Sequence, residues 1–170
     1  MITHVIHPID PVYDKNSRIL ILGSFPSVKS REIQFFYGHP QNRFWPLLSR
    51  LRGETVPQTI QERKEFLLRN RIAVWDVIES CDITGSSDSS IKNAAANDLS
   101  RILNSAEIAA IYTNGGVSNK LYEKYIFPKT GITAVKLPST SPANAAFSMN
   151  RLEAHWKCIN EYLPVTTRLQ

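Results

Sequence analysis

Ile19-Leu20-Ile21-Leu22-Gly23-Ser24-Phe25-Pro26-Ser27 opens the part of the sequence that decides the fold, and Tyr37-Gly38-His39-Pro40-Gln41-Asn42-Arg43-Phe44-Trp45 closes it. The run Ile19 to Leu22 is apolar and short, which suits a buried strand. Gly23 and the Ser/Pro turn behind it stop that strand. Phe44, Leu47, Leu48 and Leu51 then recur at helical spacing, so a helix is predicted from Asn42 or Arg43 to Arg52, ended by Gly53. A buried strand running through a polar turn and an amide-rich loop into a helix is how open α/β sheets hold ligands.

The same alternation continues outward. A helix is predicted over Thr59 to Asn70, then a second buried strand over Ile72 to Ile78 with Asp76 unexpected inside it. Residues 80–93 are polar and Ser-rich and read as a long loop, the kind that tends to be functional. A helix over Ala94 to Ser105, a strand over Ile108 to Thr113 and a helix over Ser118 to Ile126 follow. The fourth strand is Thr133 to Leu137, stopped by Pro138-Ser139-Thr140-Ser141-Pro142-Ala143-Asn144, and the last helix is Ala146 to Tyr162. Residues 1–18 carry Pro8 and Pro11 and read as an irregular or edge segment of a single domain spanning 1–170.

Strands alternating with helices imply a parallel sheet with helices on both faces. The expectation is a three-layer α/β/α sandwich with four parallel strands near 19–23, 72–77, 108–113 and 133–137. Each strand runs out into small or polar residues: Ser24 with Ser27, Asp76, Asn114 with Gly115, and Ser139 with Ser141. In a parallel sheet these ends share one edge, so they converge on one crevice.

The chain has 170 residues, 42% hydrophobic and 21% charged, an ordinary globular balance. Lys plus Arg number 20 and Asp plus Glu 15, giving +5 and a pI near 9.3, which permits a polyanionic partner without requiring one. Two cysteines, Cys81 and Cys158, cannot build a cysteine zinc site or an iron–sulfur cluster, and suit a reducing, cytoplasmic setting. There is no secretory leader and no run long enough to cross a bilayer.

Motifs for familiar chemistries are missing. There is no GxSxG elbow, no GxxxxGK[ST] loop and no GxGxxG turn. His39 and His155 with two distant cysteines make a poor metal set, so neither metal nor cofactor is expected. What remains is amides, hydroxyls, backbone N–H groups and aromatics, which suit a flat polar ring and a phosphate.

These residues carry a resemblance. The stretch resembles the first motif region of the uracil-DNA glycosylase superfamily. The mismatch-specific branch has a GINPG turn, then a phenylalanine, then HPxNRFW. This chain has Gly23-Ser24-Phe25-Pro26-Ser27, Tyr37 and His39-Pro40-Gln41-Asn42-Arg43-Phe44-Trp45 at a spacing that needs no gap. Leu137 to Asn144, LPSTSPAN, resembles the second superfamily motif. Together the GSFPS turn and LPSTSPAN loop are most similar to the hypoxanthine-DNA glycosylase (DNA-deoxyinosine glycosylase) family, over roughly residues 17–160.

The resemblance implies a monofunctional glycosylase that hydrolyses the N-glycosidic bond of hypoxanthine, uracil or xanthine in DNA and so starts base excision repair. It implies a DNA partner; a monomer and no membrane are expected. In the mismatch-specific branch the catalytic asparagine lies within the first turn, where this chain has Phe25. By resemblance to the hypoxanthine family, the catalytic amide is instead Asn42.

A glycosylase takes its base out of the stack and holds it in a snug pocket. By position Tyr37 is either the stacking face for that base or a core aromatic. Backbone N–H groups around Ser24, Phe25 and Tyr37 are candidates for the base carbonyl oxygens. Asn114 is either a reader of the base edge or a turn former before Gly115. Ser27, Ser139, Thr140, Ser141 and Asn144, with His39 and Arg43, are the candidate DNA-binding residues, local capping or bracing being the alternative. Asp76 holds a loop or floors the pocket. Two other readings stay open: a non-catalytic nucleic-acid or nucleobase-binding module of the same fold, and a nucleoside hydrolase.

Overall fold

An apolar, β-branched run can be buried on both faces only in the interior of a sheet, and that is where Ile19–Gly23 lies, with all five residues buried. The structure, a computed structural model, describes residues 1–165. Its strands are β1 Ile2–Ile6, β2 Ile19–Gly23, β3 Ile72–Asp76, β4 Ile78–Thr84, β5 Lys92–Ala96, β6 Ala110–Asn114 and β7 Ala134–Leu137. β3-β2-β6-β7 form a four-stranded sheet that is parallel throughout. The helices are α1 Val28–Ile33, α2 Phe44–Arg52, α3 Ile60–Arg69, α4 Ser100–Leu103, α5 Gly116–Tyr125, α6 Phe127–Thr130 and α7 Met149–Trp156. The expected parallel sheet flanked by helices is present.

The helix ends follow local chemistry. Thr59 and Glu62 form a reciprocal capping box at the start of α3. Gly53 ends α2 in the left-handed region, φ +65°, where a side chain would be strained. Arg52, buried on α2, donates from Nε to Asn70 Oδ1 at 2.9 Å and from its guanidinium to Asn160 Oδ1 at 2.8 Å. It thereby ties α2 to the ends of α3 and of the chain's last described turn.

The residues before β2 and the segment after β3 depart from the expected layout. β1, β4 and β5 form a second, antiparallel three-stranded sheet. Residues 1–18 are therefore not irregular throughout, and residues 80–93 are not a long loop. Ile78, Cys81 and Ile83 are buried, and 78–84 is a strand despite its polar composition, its pairing with β5 shifting register between Ile78 and Ser80 and again between Ser80 and Asp82. Ala94 to Ser105 is not one helix either: its first part is β5, and only α4 is helical. Asn97 decides this. Its amide donates to the Asp76 and Ile78 carbonyls at 2.9 and 3.2 Å, and its N–H to Val77 O at 2.8 Å. Those tertiary bonds outweigh the helix preference of three alanines.

β3 and β4 are one extended run interrupted at Val77, whose N–H donates to Gly23 O at 2.8 Å. The run thus serves both sheets. The leading segment follows it: His7 N–H donates to Glu79 O at 2.7 Å, and Val12 exchanges two 3.0 Å backbone bonds with Val74. Residues between β1 and Val12 are in this way drawn across the sheet edge where the turns gather.

Candidate active site

Strand register builds the site. Gly23 pairs with Asp76, and Asn114 with Leu137, so the turns that follow all leave the sheet on one edge. They enclose a cavity of about 290 Å³, at the small end of ligand pockets. Residues 23–27, Tyr37, His39, Asn42, Asp76, Asn114 and 139–143 line it, and Ser86 and Asp88 form part of its wall. A wider hollow adjoins it through Ser139, Ser141, Ala143 and Asp88, continuing past Lys136, Phe147 and His155.

Asn42 is fixed by two donors. The Phe44 N–H reaches its Oδ1 at 3.0 Å and the Thr140 hydroxyl at 2.8 Å. The Asn114 amide nitrogen donates in turn to Thr140 Oγ1 at 3.0 Å, and Asn114 Oδ1 accepts from the Thr140 N–H at 3.0 Å. The end of β6, the 138–144 loop and the start of α2 are therefore locked together through side chains. Both acceptor positions of the Asn42 carbonyl are filled, so its orientation is set. Its NH2 group, without a partner among the described residues, is the end left for a ligand.

Tyr37 stacks on Phe44 with ring centroids 3.9 Å apart and 16° between planes. It has φ +51°, a region that few side chains adopt. Its hydroxyl is buried with no partner among the described residues, and a buried polar group in that state calls for a reason such as a water, a ligand or a catalytic role. That burial, reinforced by the charge of Asp76, pushes its pKa far above the ordinary phenol value, while Asn114 works the other way. Tyr37 therefore stays neutral.

Asp76, at the cavity floor, is bonded through Oδ2 to His7 Nε2 at 2.7 Å. Their side chains are 5% and 2% exposed. The His7 ring sits among Phe25, Phe36 and Trp75, with centroids 5.8 to 6.4 Å away. The carboxylate needs Gly23 beside it, since a Cβ there would lie 2.4 Å from Asp76 Oδ1 and 3.1 Å from the Tyr37 hydroxyl. Desolvation raises the Asp88 pKa, with the Ser24 hydroxyl opposing and Asp76 adding to the rise.

Of the candidates named from sequence, Ser24, Phe25, Ser27, Tyr37, His39, Asn42, Asn114, Ser139, Thr140 and Ser141 all line this cavity. Arg43 and Asn144 do not. The Arg43 guanidinium donates to the carbonyls of Phe147, Ser141 at 2.9 Å and Asn144 at 3.1 Å, bracing the loop from inside. Asn144 donates to Ser139 O at 3.0 Å. Thr140 is fully buried with its hydroxyl engaged by the two asparagines. Ser27 caps α1 through Ser30 N–H at 3.2 Å, and His39 Nδ1 accepts from Gln41 N–H at 3.1 Å. The N–H groups of Ser24 and Phe25 have no partner among the described residues, although the Ser24 carbonyl accepts from Ile78 at 3.1 Å.

His7, Asp88 and Ser86 escaped the sequence reading. An aspartate inside an apolar strand was the one visible sign of the floor, and nothing local marks His7. Among the described residues no group of three or more His, Cys, Asp or Glu side chains is placed to hold a metal ion. No helix among them is long and apolar enough to cross a membrane.

Comparison with known proteins bears on this geometry. Residues 11–163 match the model of the uracil DNA glycosylase superfamily. A hypoxanthine DNA glycosylase of Methanosarcina acetivorans is 38% identical over 150 residues, covering 87% of this chain and 93% of that protein. One from Methanosarcina barkeri is 37% identical over 135 residues, covering 79% and 85%. The solution NMR structure of a Methanosarcina acetivorans protein, named as a candidate uracil DNA glycosylase, superposes with a TM-score of 0.78. It is 35% identical and covers 94% of this chain and 96% of its own.

Proposed function

Because the chain belongs to the uracil DNA glycosylase superfamily, we propose that it hydrolyses the N-glycosidic bond of a deaminated base in DNA, hypoxanthine foremost. It works as one domain and as a monofunctional enzyme, releasing the base without cutting the strand. The observation that carries the reading is the Asn42–Thr140–Asn114 network, which fixes one amide within a cavity of base-binding size.

The chemistry follows from what that amide can still do. Bond cleavage leaves an oxocarbenium-like sugar, and negative charge develops on the departing base. Donors placed around the base strengthen as that charge grows. With its carbonyl occupied, Asn42 acts through its NH2 as such a donor rather than by positioning water through Oδ1. The free N–H groups of Ser24 and Phe25 are further donors on the same rim. The base stacks on the Tyr37 face opposite Phe44. The Ser139 to Ser141 loop, braced by Arg43, meets the duplex, and the adjoining hollow with Lys136 and His155 takes the backbone.

An end-labelled duplex containing hypoxanthine or uracil, incubated with protein and then treated with hot alkali, tests this. Scission at the modified base in wild type, reduced by about 100-fold or more in Asn42→Ala with DNA retardation intact, is the expected outcome. Retarded but uncut DNA in wild type would instead support a binding module of the same fold. That second reading is favoured by Phe25 in the place where the mismatch-specific branch has its catalytic asparagine.

A further inference from the structure

Hydrolysis consumes a water, and no group described so far receives its proton. The Asn42 carbonyl is filled by the Phe44 N–H and the Thr140 hydroxyl, so that amide has no acceptor left to offer. Asp76 sits on the cavity floor with Oδ2 held by His7. His39 Nδ1 accepts from the Gln41 N–H at 3.1 Å, which puts the proton of the neutral ring on Nε2 and leaves no lone pair free.

The two adjoining hollows show where the sugar must lie. With the base in the cavity and the backbone in the hollow beside it, the glycosidic bond crosses the rim that the two share. That rim is Ser139, Ser141, Ala143 and Asp88. Among these residues Asp88 alone carries an ionisable side chain, and a carboxylate is the one group there able to take a proton from water near neutral pH.

Asp88 is held in place by its own segment. It opens the short 3-10 turn Asp88–Ser90 at the tip of the β4–β5 hairpin. Ser86 Oγ accepts from the Val28 N–H at 2.9 Å, and the Arg31 guanidinium donates to Gly85 O at 2.7 Å, so the tip is pinned to α1. Within the tip, Ser90 Oγ accepts from the Thr84 N–H at 2.8 Å and donates to Ser87 O at 2.6 Å. Asp88 is nonetheless exposed, so water reaches it. Desolvation raises its pKa, the Ser24 hydroxyl opposes the rise and Asp76 adds to it. A carboxylate so placed is a stronger proton acceptor than a free one.

We infer that Asp88 is a catalytic residue: its carboxylate accepts the proton of the water that attacks C1′ and faces the positive charge that forms on the sugar. The inference rests on the glycosylase reading. The water oxygen bonds to C1′ as the C1′–N bond breaks, and the electron pair of that bond leaves with the base. Asp88 takes the water proton and releases it to solvent while the base anion takes one up, so protons balance. Attraction between the carboxylate and an oxocarbenium-like sugar is felt fully only in the transition state, which is where it accelerates the reaction.

Asp88→Asn keeps the shape and removes the charge. Asp88→Ala opens a space that formate, a one-carbon carboxylate, can fill. Single-turnover excision of hypoxanthine from an end-labelled duplex is measured for both, with melting temperature and duplex affinity alongside. Both variants should melt within about 3 °C of wild type, as substitutions of an exposed side chain do. Excision should fall by about 100-fold or more, the scale of a general base. Duplex affinity should hold or tighten by up to about threefold, because a negative charge beside the phosphates is gone. Sodium formate should speed Asp88→Ala by about 10-fold or more and leave wild type unchanged.

Excision by Asp88→Asn within about threefold of wild type overturns the role of Asp88 and leaves the glycosylase standing. A slow Asp88→Asn whose duplex affinity has dropped in proportion makes the residue a DNA contact and overturns the proposal as well. So does a slow Asp88→Ala that formate fails to speed. Wild type that releases neither hypoxanthine nor uracil refutes the glycosylase reading itself, and the role of Asp88 with it.

Discussion

Replacing Thr140 by valine removes one hydroxyl and leaves the side-chain volume unchanged. In the structure that hydroxyl donates to Asn42 Oδ1 at 2.8 Å and accepts from Asn114 Nδ2 at 3.0 Å, and Thr140 is fully buried. Two bonds are lost, and the Asn114 donor is left facing a methyl group. At about 1 kcal/mol for each bond, with an added penalty for a stranded buried donor, the variant should be about 2–3 kcal/mol less stable. For a protein of this size that lowers the melting temperature by about 5–10 °C. Asn42 keeps only the Phe44 N–H, so its NH2 no longer has one direction. Misplacement of a positioned group by about an ångström is worth up to about 100-fold in rate, and a loss of about 10- to 100-fold is expected here. Single-turnover excision of hypoxanthine from a labelled duplex, with enzyme in excess and well below the melting temperature, measures it. Thr140→Ser, which keeps the hydroxyl, should stay within about threefold of wild type. If Thr140→Val melts early yet excises at the wild-type rate, the network holds the fold and does not position Asn42.

The other expectations concern the same cavity and one distant ion pair. Tyr37→Phe should keep excision within about threefold and leave melting unchanged, because the hydroxyl it removes is unpartnered, whereas Tyr37→Ala should slow excision about 10-fold or more through the lost stacking face. A large loss from Tyr37→Phe would mean that the hydroxyl meets the substrate. Gly23→Ala places a Cβ 2.4 Å from Asp76 Oδ1, so excision should drop at least about 10-fold alongside a stability loss of about 1–3 kcal/mol; wild-type kinetics would show that the floor can move freely. Burial works against the Glu54 carboxylate, but its bonds from Arg69 and Asn70 outweigh that and hold its pKa below the ordinary range. A lowered folded pKa means that this stabilisation is present above the unfolded pKa and disappears as pH falls through the folded one. Urea unfolding of Glu54→Gln should therefore show a deficit against wild type near pH 6 that shrinks near pH 3, and an equal deficit at both would refute the assignment.

How far the sequence carried depended on where each signal resides. β2, β3, β6 and β7 are short, apolar and bounded by turn residues, so their pattern is local and visible. Their convergence followed from parallel-sheet geometry alone. β4 mixes Glu79, Ser80 and Asp82 with Ile78, Cys81 and Ile83, and its two register shifts break the period-two pattern, so it is easily taken for a polar loop. β5 reads KNAAA, with no strand signature at all; only its pairing to β4 and the bonds of Asn97 make it extended. Arg43 was legible as a charge but not as a brace, since its partners are carbonyls about a hundred residues away in the chain. His7 reaches Asp76 across 69 positions, and no window of sequence contains both.

The extended run shared by the two sheets has a consequence for motion. β1 is an edge strand held by β4 alone, while β3, on the other side of the Val77 interruption, is locked into the parallel sheet. The antiparallel sheet can therefore open as a separate cooperative unit without melting the rest. Amide protons of β1 should then exchange with solvent at a free energy well below that of β2. Each such opening withdraws His7 from Asp76 and lets the carboxylate lose its fixed direction. How firmly the cavity floor is held is in that way governed by the population of a partly opened form, a quantity that a thermal melt of the whole protein does not report.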